Sequence, residues 1–323
     1  MANEIKLSDY IVDTLVEHGI SDAFMVTGGG AMYLNHALGT RKEITCTFNH
    51  HEQSCAMAAE SYFRVSNRMA AVNVTAGPGA TNAITGVYGA YVDSMAMFVL
   101  SGQSKRDTLA SSTNLPLRQL GDQEVNIVDM VKGITKYAVL IDDPSTIRYH
   151  LERALHLALQ GRPGPVWLDV PIDVQGAIID PSTLKGYDPK EDEILYETDP
   201  IEESVALVAK RFAASKRPVI YAGTGVRLSG QYDLFLELAG RLGVPVVGAW
   251  DSNDLLPNDH PSYAGRPGSL GDRAGNFNVQ NSDFLLIHGE PLHQGMGIRE
   301  IRDCHLFQKR PDLHVSRVYE NPQ

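Results

Sequence analysis

Two adjacent histidines and a glutamate, His50, His51 and Glu52, open the stretch NHHEQSCAMAAESYFRVS at residues 49–66. Imidazole beside carboxylate allows three kinds of chemistry: metal ligation, helix capping, or proton transfer by a buried acid. Metal ligation fits the spacing poorly, because neighbouring side chains on a helix or a strand point away from each other. An ordinary glutamate at a helix start, stabilised by the helix dipole, is the plainer alternative to a functional acid. Glycine turns are the second group. TGGGAM at 27–32 follows an apolar run, but a dinucleotide fingerprint needs glycine three residues after Gly30, and Tyr33 stands there. The spacing therefore speaks against NAD. In TAGPGATNAITG, residues 75–86, Gly77 and Gly79 allow close backbone approach and Pro78 stiffens the loop. Asn82 falls near the next helix start, and a tight strand-to-helix turn with an Asn or Thr cap accounts for the stretch equally well.

These residues sit where strands end. Leu7, Tyr10, Ile11, Leu15 and Val16 recur at helical spacing, with Gly19 as a stop. DAFMVTGGG, EITCTFN, MAAVNVTAGPG, AMFVLSGQ, ITKYAVLI and GPVWLDVP read as short apolar strands, with the helical STIRYHLERALHLALQG before the last. Strands alternating with helices imply βαβ units and a parallel sheet, which binds ligands beyond the carboxyl ends of its strands. After the aperiodic, acid- and proline-rich DPSTLKGYDPKEDEILYETDP, a second series follows: helix EESVALVAKRFAAS, strand PVIYAGTGV, helix YDLFLELAGRLG, strand PVVGAW, a glycine-rich loop and strand SDFLLIHG. The expected fold class is α/β with two doubly wound parallel-sheet domains, a first at 1–178 and a smaller Rossmann-like one at 201–323. Residues 179–200 are the expected linker, and the tail diverges from about 288.

The bulk properties narrow the function classes. With 323 residues, 43% apolar and 21% charged, the chain is long enough for two cores and ordinary in composition. A formal net charge of −11 argues against general nucleic-acid binding, which needs a basic face. Cys46, Cys55 and Cys304 share no metal-ligand spacing and suit a reduced, cytoplasmic setting. The amino-terminal stretch lacks the apolar core of a signal peptide, and no run approaches the ~18 apolar residues of a membrane span.

HHEQSCAMAAESYFRVS, VTAGPGATNAITGVYGAYVDS, LSGQ, GDQEVNIVDMVKGITKYA and GRPGPVWLDVPIDVQ, in this order, resemble the amino-terminal pyrimidine-binding domain of thiamine-diphosphate enzymes of the acetolactate synthase type. The resemblance runs from about residue 3 to 176 and continues less densely beyond. It implies that Glu52, in its His51-Glu52-Gln53 context, shares a proton with N1′ of the cofactor's aminopyrimidine, so that the 4′-imino nitrogen can take the proton from C2 of the thiazolium. The small residues Ala56, Ala58 and Ala59 let that helix pack tightly. By the same resemblance Gly77, Pro78 and Asn82 lie beside the pyrimidine ring, Gly28 and Gly29 line the substrate side, and Gln103 and Gln123 lie near the reacting carbons. Acetolactate synthases of the family commonly carry an aromatic residue where Asp122 stands here, and that departure leaves the acceptor substrate open to another carboligase or decarboxylase chemistry.

The family's middle domain holds FAD, ADP or nothing. Gly223, Gly225 and Arg227 follow a strand, and Gly265, Gly268 and Arg273 lie in a second loop. Backbone amides and an arginine suit a diphosphate, so FAD is a candidate cofactor. The family anchors the diphosphate of thiamine diphosphate through Mg²⁺ on a third domain bearing Gly-Asp-Gly and a later asparagine; the Gly-Asp pairs at 121 and 271 lack the rest. The resemblance thus implies half a site for a 2-oxo acid such as pyruvate, with Mg²⁺ held by a domain or partner outside these residues, and no turnover by this chain alone. A truncated chain, one subunit of a split enzyme, and a non-catalytic regulatory or structural relative all fit. A homodimer or higher oligomer is expected. The small residues Gly86, Gly89 and Ala90 suit close helix contact, within the chain or across a dimer. Beyond residue 288 the expected helix is replaced by a stretch with four of the eleven histidines, His288, His293, His305 and His314, without ligand spacing, as a shifted frame or spliced-in terminus would give.

Overall fold

The apolar runs become parallel strands; those at 71–74, 98–103 and 166–171 are buried on both faces, and those at the sheet edges, 45–48 and 137–140, are not. A computed structural model of the chain describes residues 4–193 and 201–289, with the strand segments 304–306 and 316–319. Two compact units result, Met1–Glu193 and Ile194–Gln323.

In the first unit six strands, β1 (Asp22–Met25), β2 (Thr45–Phe48), β3 (Ala71–Val74), β4 (Phe98–Gln103), β5 (Tyr137–Leu140) and β6 (Val166–Pro171), form one parallel sheet in the order β2-β1-β3-β4-β6-β5. The helices are α1 (Leu7–Glu17), α2 (Met32–Thr40), α3 (Glu52–Ser66), α4 (Pro78–Asp93), α5 (Ile127–Val131) and α6 (Ile147–Leu159). The chain leaves β1 in one direction to β2 and returns to place β3 on the other side, so the topological switch lies between the carboxyl ends of β1 and β3. Those ends carry the Gly28–Gly30 and Gly77–Gly79 turns. Ligand crevices of open α/β sheets form at such points.

Helices α3 and α4 pack at backbone distance. A Cβ on Gly86 would lie 2.6 Å from Ala56 Cβ and 2.9 Å from Met57 N, so only glycine lets the helices meet there. The small residues of α4 thus pack within the chain. Arg64 ties the far ends together, donating to Glu60 at 2.8 Å and to Asp93 at 2.6 Å. His51 caps α3: its Nδ1 accepts the Gln53 amide at 3.1 Å.

The core of this unit holds one carboxylate. Asp169 on β6 is 2% exposed and accepts Ser101 Oγ at 2.5 Å and Gln103 Nε2 at 2.8 Å, while Trp167 Nε1 donates to Ser101 Oγ at 2.7 Å. Burial pushes its pKa up to about 7, and the Ser101 and Gln103 hydrogen bonds hold it from rising further.

The segment expected as a linker is divided. Residues up to Glu193 stay with the first unit: Arg153 on α6 grips Asp192 through two hydrogen bonds of 2.8 Å, and Tyr187 N donates to Glu152 at 2.7 Å. Residues 194–200 lie outside the described residues.

The second unit has α7 (Ile201–Ala214), β7 (Pro218–Ala222), α8 (Gly225–Leu228), α9 (Tyr232–Leu242), β8 (Val246–Gly248), α10 (Arg273–Asn281), β9 (Phe284–His288), β10 (Cys304–Leu306) and β11 (Ser316–Tyr319). Strands β8, β7 and β9 are parallel; β11 adds antiparallel to β9, and β10 antiparallel to β11. Ile220, Phe235, Leu255, Phe284 and Leu286 form its core. Helix α10 lies within what the sequence pattern reads as a glycine-rich loop. Asp272 starts it, accepting the Gly275 amide. His293 and His314 of the tail lie outside the described residues. Among the described residues no helix is long and apolar enough to cross a membrane.

Two outcomes follow from the packing. Gly86→Val forces α3 from α4 and should destabilise the first unit by about 2–3 kcal/mol, read as a lower urea midpoint. A carboxyl raised by folding contributes stability that is present below its ordinary value of 3.8 and lost as pH rises through about 7. Asp169→Asn removes that titration. Its unfolding free energy between pH 5 and pH 7 should lack a decline that, in the parent chain, approaches about 1.4 kcal/mol per pH unit.

Candidate pyrimidine-side site

Glu52 is the first residue of α3, delivered to the carboxyl end of the sheet by β2 and by the extended His51 cap. It is half-buried. Asn82, one turn into α4, donates Nδ2–H to Glu52 Oε2 at 3.0 Å. Pro78 opens α4 at its first position, where the missing N–H costs nothing. Gly77 precedes it at φ +58°, and a Cβ there would lie 2.2 Å from the Gln123 carbonyl oxygen. A Cβ on Gly79 would lie 3.5 Å from Glu52 Oε1. The structure therefore brings Glu52, Gly77, Pro78, Asn82 and the Gln123 backbone together.

Thr75 joins them to the first glycine turn. Its Oγ1 accepts the Gly30 amide at 3.1 Å, and a Cβ on Gly28 would meet its side chain at 2.5 Å. Gly29, next in the turn, is exposed with open space around its Cβ position. Gln103 is placed differently. Its side chain is 3% exposed and turns inward, donating to Asp169 and to the Val125 carbonyl at 2.8 Å. Gln123 itself is exposed at φ +56°.

Sequence reasoning missed Thr75, Asp169 and Glu124. The Glu124 carboxylate accepts the amides of Ala110, Leu120 and Gly121 at 2.7–3.1 Å and so shapes the whole loop. A charged residue inside the apolar run VWLDVP was the available signal for Asp169.

The metal reading of His50 and His51 meets a competing bond, since His51 Nδ1 already accepts an amide. Among the described residues no group of three or more His, Cys, Asp or Glu side chains could hold a metal ion.

The second unit's glycine turn is engaged internally. Gly223 N donates to the His288 carbonyl at 2.8 Å, and Gly225 N to the Gly289 carbonyl at 2.9 Å. Arg227 pairs with Asp254 at 2.8 Å and lies over the Tyr232 ring at 4.3 Å. At the start of α10 the Asp272 carboxylate accepts the Arg266 and Gly275 amides at 2.8 and 2.5 Å, where a Cβ on Gly265 would collide with it. Arg273 follows this cap as an exposed residue. A cleft at the ends of β7 and β8, lined by Ser252, Tyr263 and Arg266 among others, has about 10 Å³, room for one water. The amides of Gly223, Gly225 and Gly268 thus already have protein acceptors and are not aimed at a diphosphate.

Comparison with known proteins identifies the domains. Residues 5–130 match the thiamine pyrophosphate enzyme N-terminal TPP binding domain, and residues 205–303 the thiamine pyrophosphate enzyme central domain. The second match passes residue 288, where the tail was expected to diverge. The chain is 33% identical over 293 residues to acetolactate synthase 1, chloroplastic, of Oryza sativa, which covers 88% of this chain and 42% of that protein. It is 33% identical over 296 residues to a probable acetolactate synthase large subunit of Methanocaldococcus jannaschii, with 88% and 47% covered. A Lactococcus lactis acetolactate synthase large subunit is 32% identical over 287 residues, with 87% and 47% covered. The chain spans less than half the length of these relatives. With both domains matched in order, the chain belongs to the thiamine pyrophosphate enzyme family, of which it carries the N-terminal TPP binding domain and the central domain.

Proposed function

We propose that the first unit supplies the aminopyrimidine side of a thiamine diphosphate site, with Glu52 as the acid that shares a proton with N1′. The observation that carries this is the Glu52–Asn82 pair at the topological switch of a matched TPP binding domain. The residues fit the group: a half-buried carboxylate is held at one oxygen by Asn82, and the Gly29 position of the first glycine turn is open. When bound, thiamine diphosphate supplies a thiazolium carbon acid for bond making at a carbonyl carbon. Glu52 holds and moves the proton at N1′; Asn82 fixes the direction of its carboxyl; Gly77, Pro78, Gly28 and Gly29 shape the walls. Gln103 acts on the site through the loop it holds rather than by facing the crevice.

Likeness to acetolactate synthases supports a 2-oxo acid such as pyruvate as the substrate class. Asp122, exposed where those enzymes carry an aromatic residue, favours a different acceptor. Among the described residues no side-chain group could hold Mg²⁺, so turnover draws on a diphosphate-binding domain or subunit. No flavin is assigned to the central unit, and Cys46 and Cys55, free among the described residues, suit a cytoplasmic setting.

The same site supports self-association. Thr85, Tyr88, Tyr91 and Val92 on α4 and Met57, Ser61 and Val65 on α3 form adjoining exposed stripes, with Val65 83% and Tyr88 56% exposed. Large exposed apolar side chains grouped on one face suit burial against a second copy.

Two measurements test this. In the chain assembled with a diphosphate-binding domain, Glu52→Gln should slow deuterium exchange at C2 of thiamine diphosphate by about 100-fold or more, followed by proton NMR. Unchanged exchange removes Glu52 from the role. By sedimentation the chain should be a dimer at micromolar concentration, and Tyr88→Asp should shift it to monomer; a parent chain that is monomeric there counts against the pairing face.

A further inference from the structure

Gln123 is held in a left-handed conformation, φ +56°, that a residue with a side chain adopts at a cost of about 1 kcal/mol or more. Such a conformation persists only where its surroundings enforce it. Both flanks of Gln123 are clamped from the end of β4. Ser104 Oγ donates to the Asp122 carbonyl at 2.9 Å, and Gln103 Nε2 donates to the Val125 carbonyl at 2.8 Å. The two clamping residues are linked, since Ser104 N donates to Gln103 Oε1 at 3.0 Å. Gln103 has one further partner, the buried Asp169 carboxylate on the neighbouring strand. The clamped backbone matters because the Gln123 carbonyl lies against Gly77, at the turn that opens α4 and sets Asn82 beside Glu52.

We propose that Asp169 is a positioning residue for this half-site: it fixes the Gln103 amide, and Gln103 with Ser104 holds the 122–125 backbone against the Gly77 turn. A purely space-filling polar residue at this place would need only one satisfied partner. Asp169 instead divides its two oxygens, one toward Ser101 and one toward Gln103, and only the second leads to the loop. The two arms can therefore be separated. Asp169→Ala removes both arms. Ser101→Ala removes the core arm and leaves Gln103 its acceptor. Gln103→Met removes the clamp while keeping the side-chain length. Asp169→Asn can turn its amide so that Oδ1 still meets Gln103 and Nδ2 meets Ser101, and so is the conservative rescue.

The significance of the clamp rests on reading residues 49–82 as the pyrimidine side, but its test uses the chain without ligand. A negative result would leave Glu52 untouched, and failure of Glu52 would leave the clamp untouched. The test is amide hydrogen exchange by mass spectrometry over the peptides spanning 104–126, with those of α3 and α6 as internal reference. Asp169→Ala and Gln103→Met should exchange about tenfold faster in 121–126 with the reference helices little changed, while Asp169→Asn and Ser101→Ala stay near the parent chain there. Unchanged 121–126 protection in Gln103→Met or in a folded Asp169→Ala overturns the proposal. So does Ser101→Ala loosening the loop as much as Gln103→Met, since that would make the effect one of general core stability.

Discussion

The distance between α3 and α4 governs the rest of the site. The two helices touch where Gly86 meets Ala56 and the Met57 backbone, with no room for another carbon. Their amino termini carry Glu52 and Asn82, and the 3.0 Å hydrogen bond between these side chains exists because the helices lie this close. Widening the contact by one methyl group would draw the carboxyl from its partner. The caps then fix the ends: the His51 imidazole holds the first turn of α3, and Pro78 starts α4 after the left-handed Gly77. Small residues that look like mere packing in the sequence are thus what sets the position of the acid.

Much of this was legible in order and type. The six strands of the first sheet and three of the second stand where the apolar runs were, because a parallel sheet needs such runs. Glu52 and its neighbours were legible through a motif, but the motif could not say which groups hold them. Helix α10 was missed because RAGNFNVQN is polar and glycine-bearing; Asp272 at its start was the signal, and it resembles a loop aspartate until the Gly275 amide is seen to meet it. The inward turn of Gln103 was hidden for another reason. Alternation along β4 puts Ser101 and Gln103 on one face, and register pairs Ser101 with Asp169 of β6. That register between distant strands is a tertiary fact, absent from local pattern.

The central unit shows how one glycine pattern serves two ends. A strand followed by Gly-Thr-Gly suits an anion only if its amides point into open space. Here the amides of Gly223 and Gly225 reach the carbonyls at the end of β9, and Gly289, at φ +65°, allows that approach; a Cβ on it would lie 2.6 Å from Val226 N. The glycines serve the packing of one loop on another. The Asp272 carboxylate likewise fills the position at the start of α10 that a phosphate would take. Composition alone cannot separate these uses, because the same absence of a side chain is needed for both.

Position and solvation of the acid are separate problems, and the first unit solves only the first. Hydrogen bonds and helix contact determine where the Glu52 carboxyl lies, yet the residue is half-buried and Asn82 is exposed. A proton shared between a carboxyl and a ring nitrogen is held most strongly where water is excluded. The chain places exposed apolar side chains just where a cover would rest: Phe48 at the end of β2, 61% exposed, Met57 one turn and a half into α3, 41% exposed, and Tyr88 on α4. The stripes that begin beside Glu52 and Asn82 continue down both helices. On the proposed function, a second surface laid on those stripes would also remove water from Glu52, so that pairing and desolvation of the carboxyl would be one event rather than two.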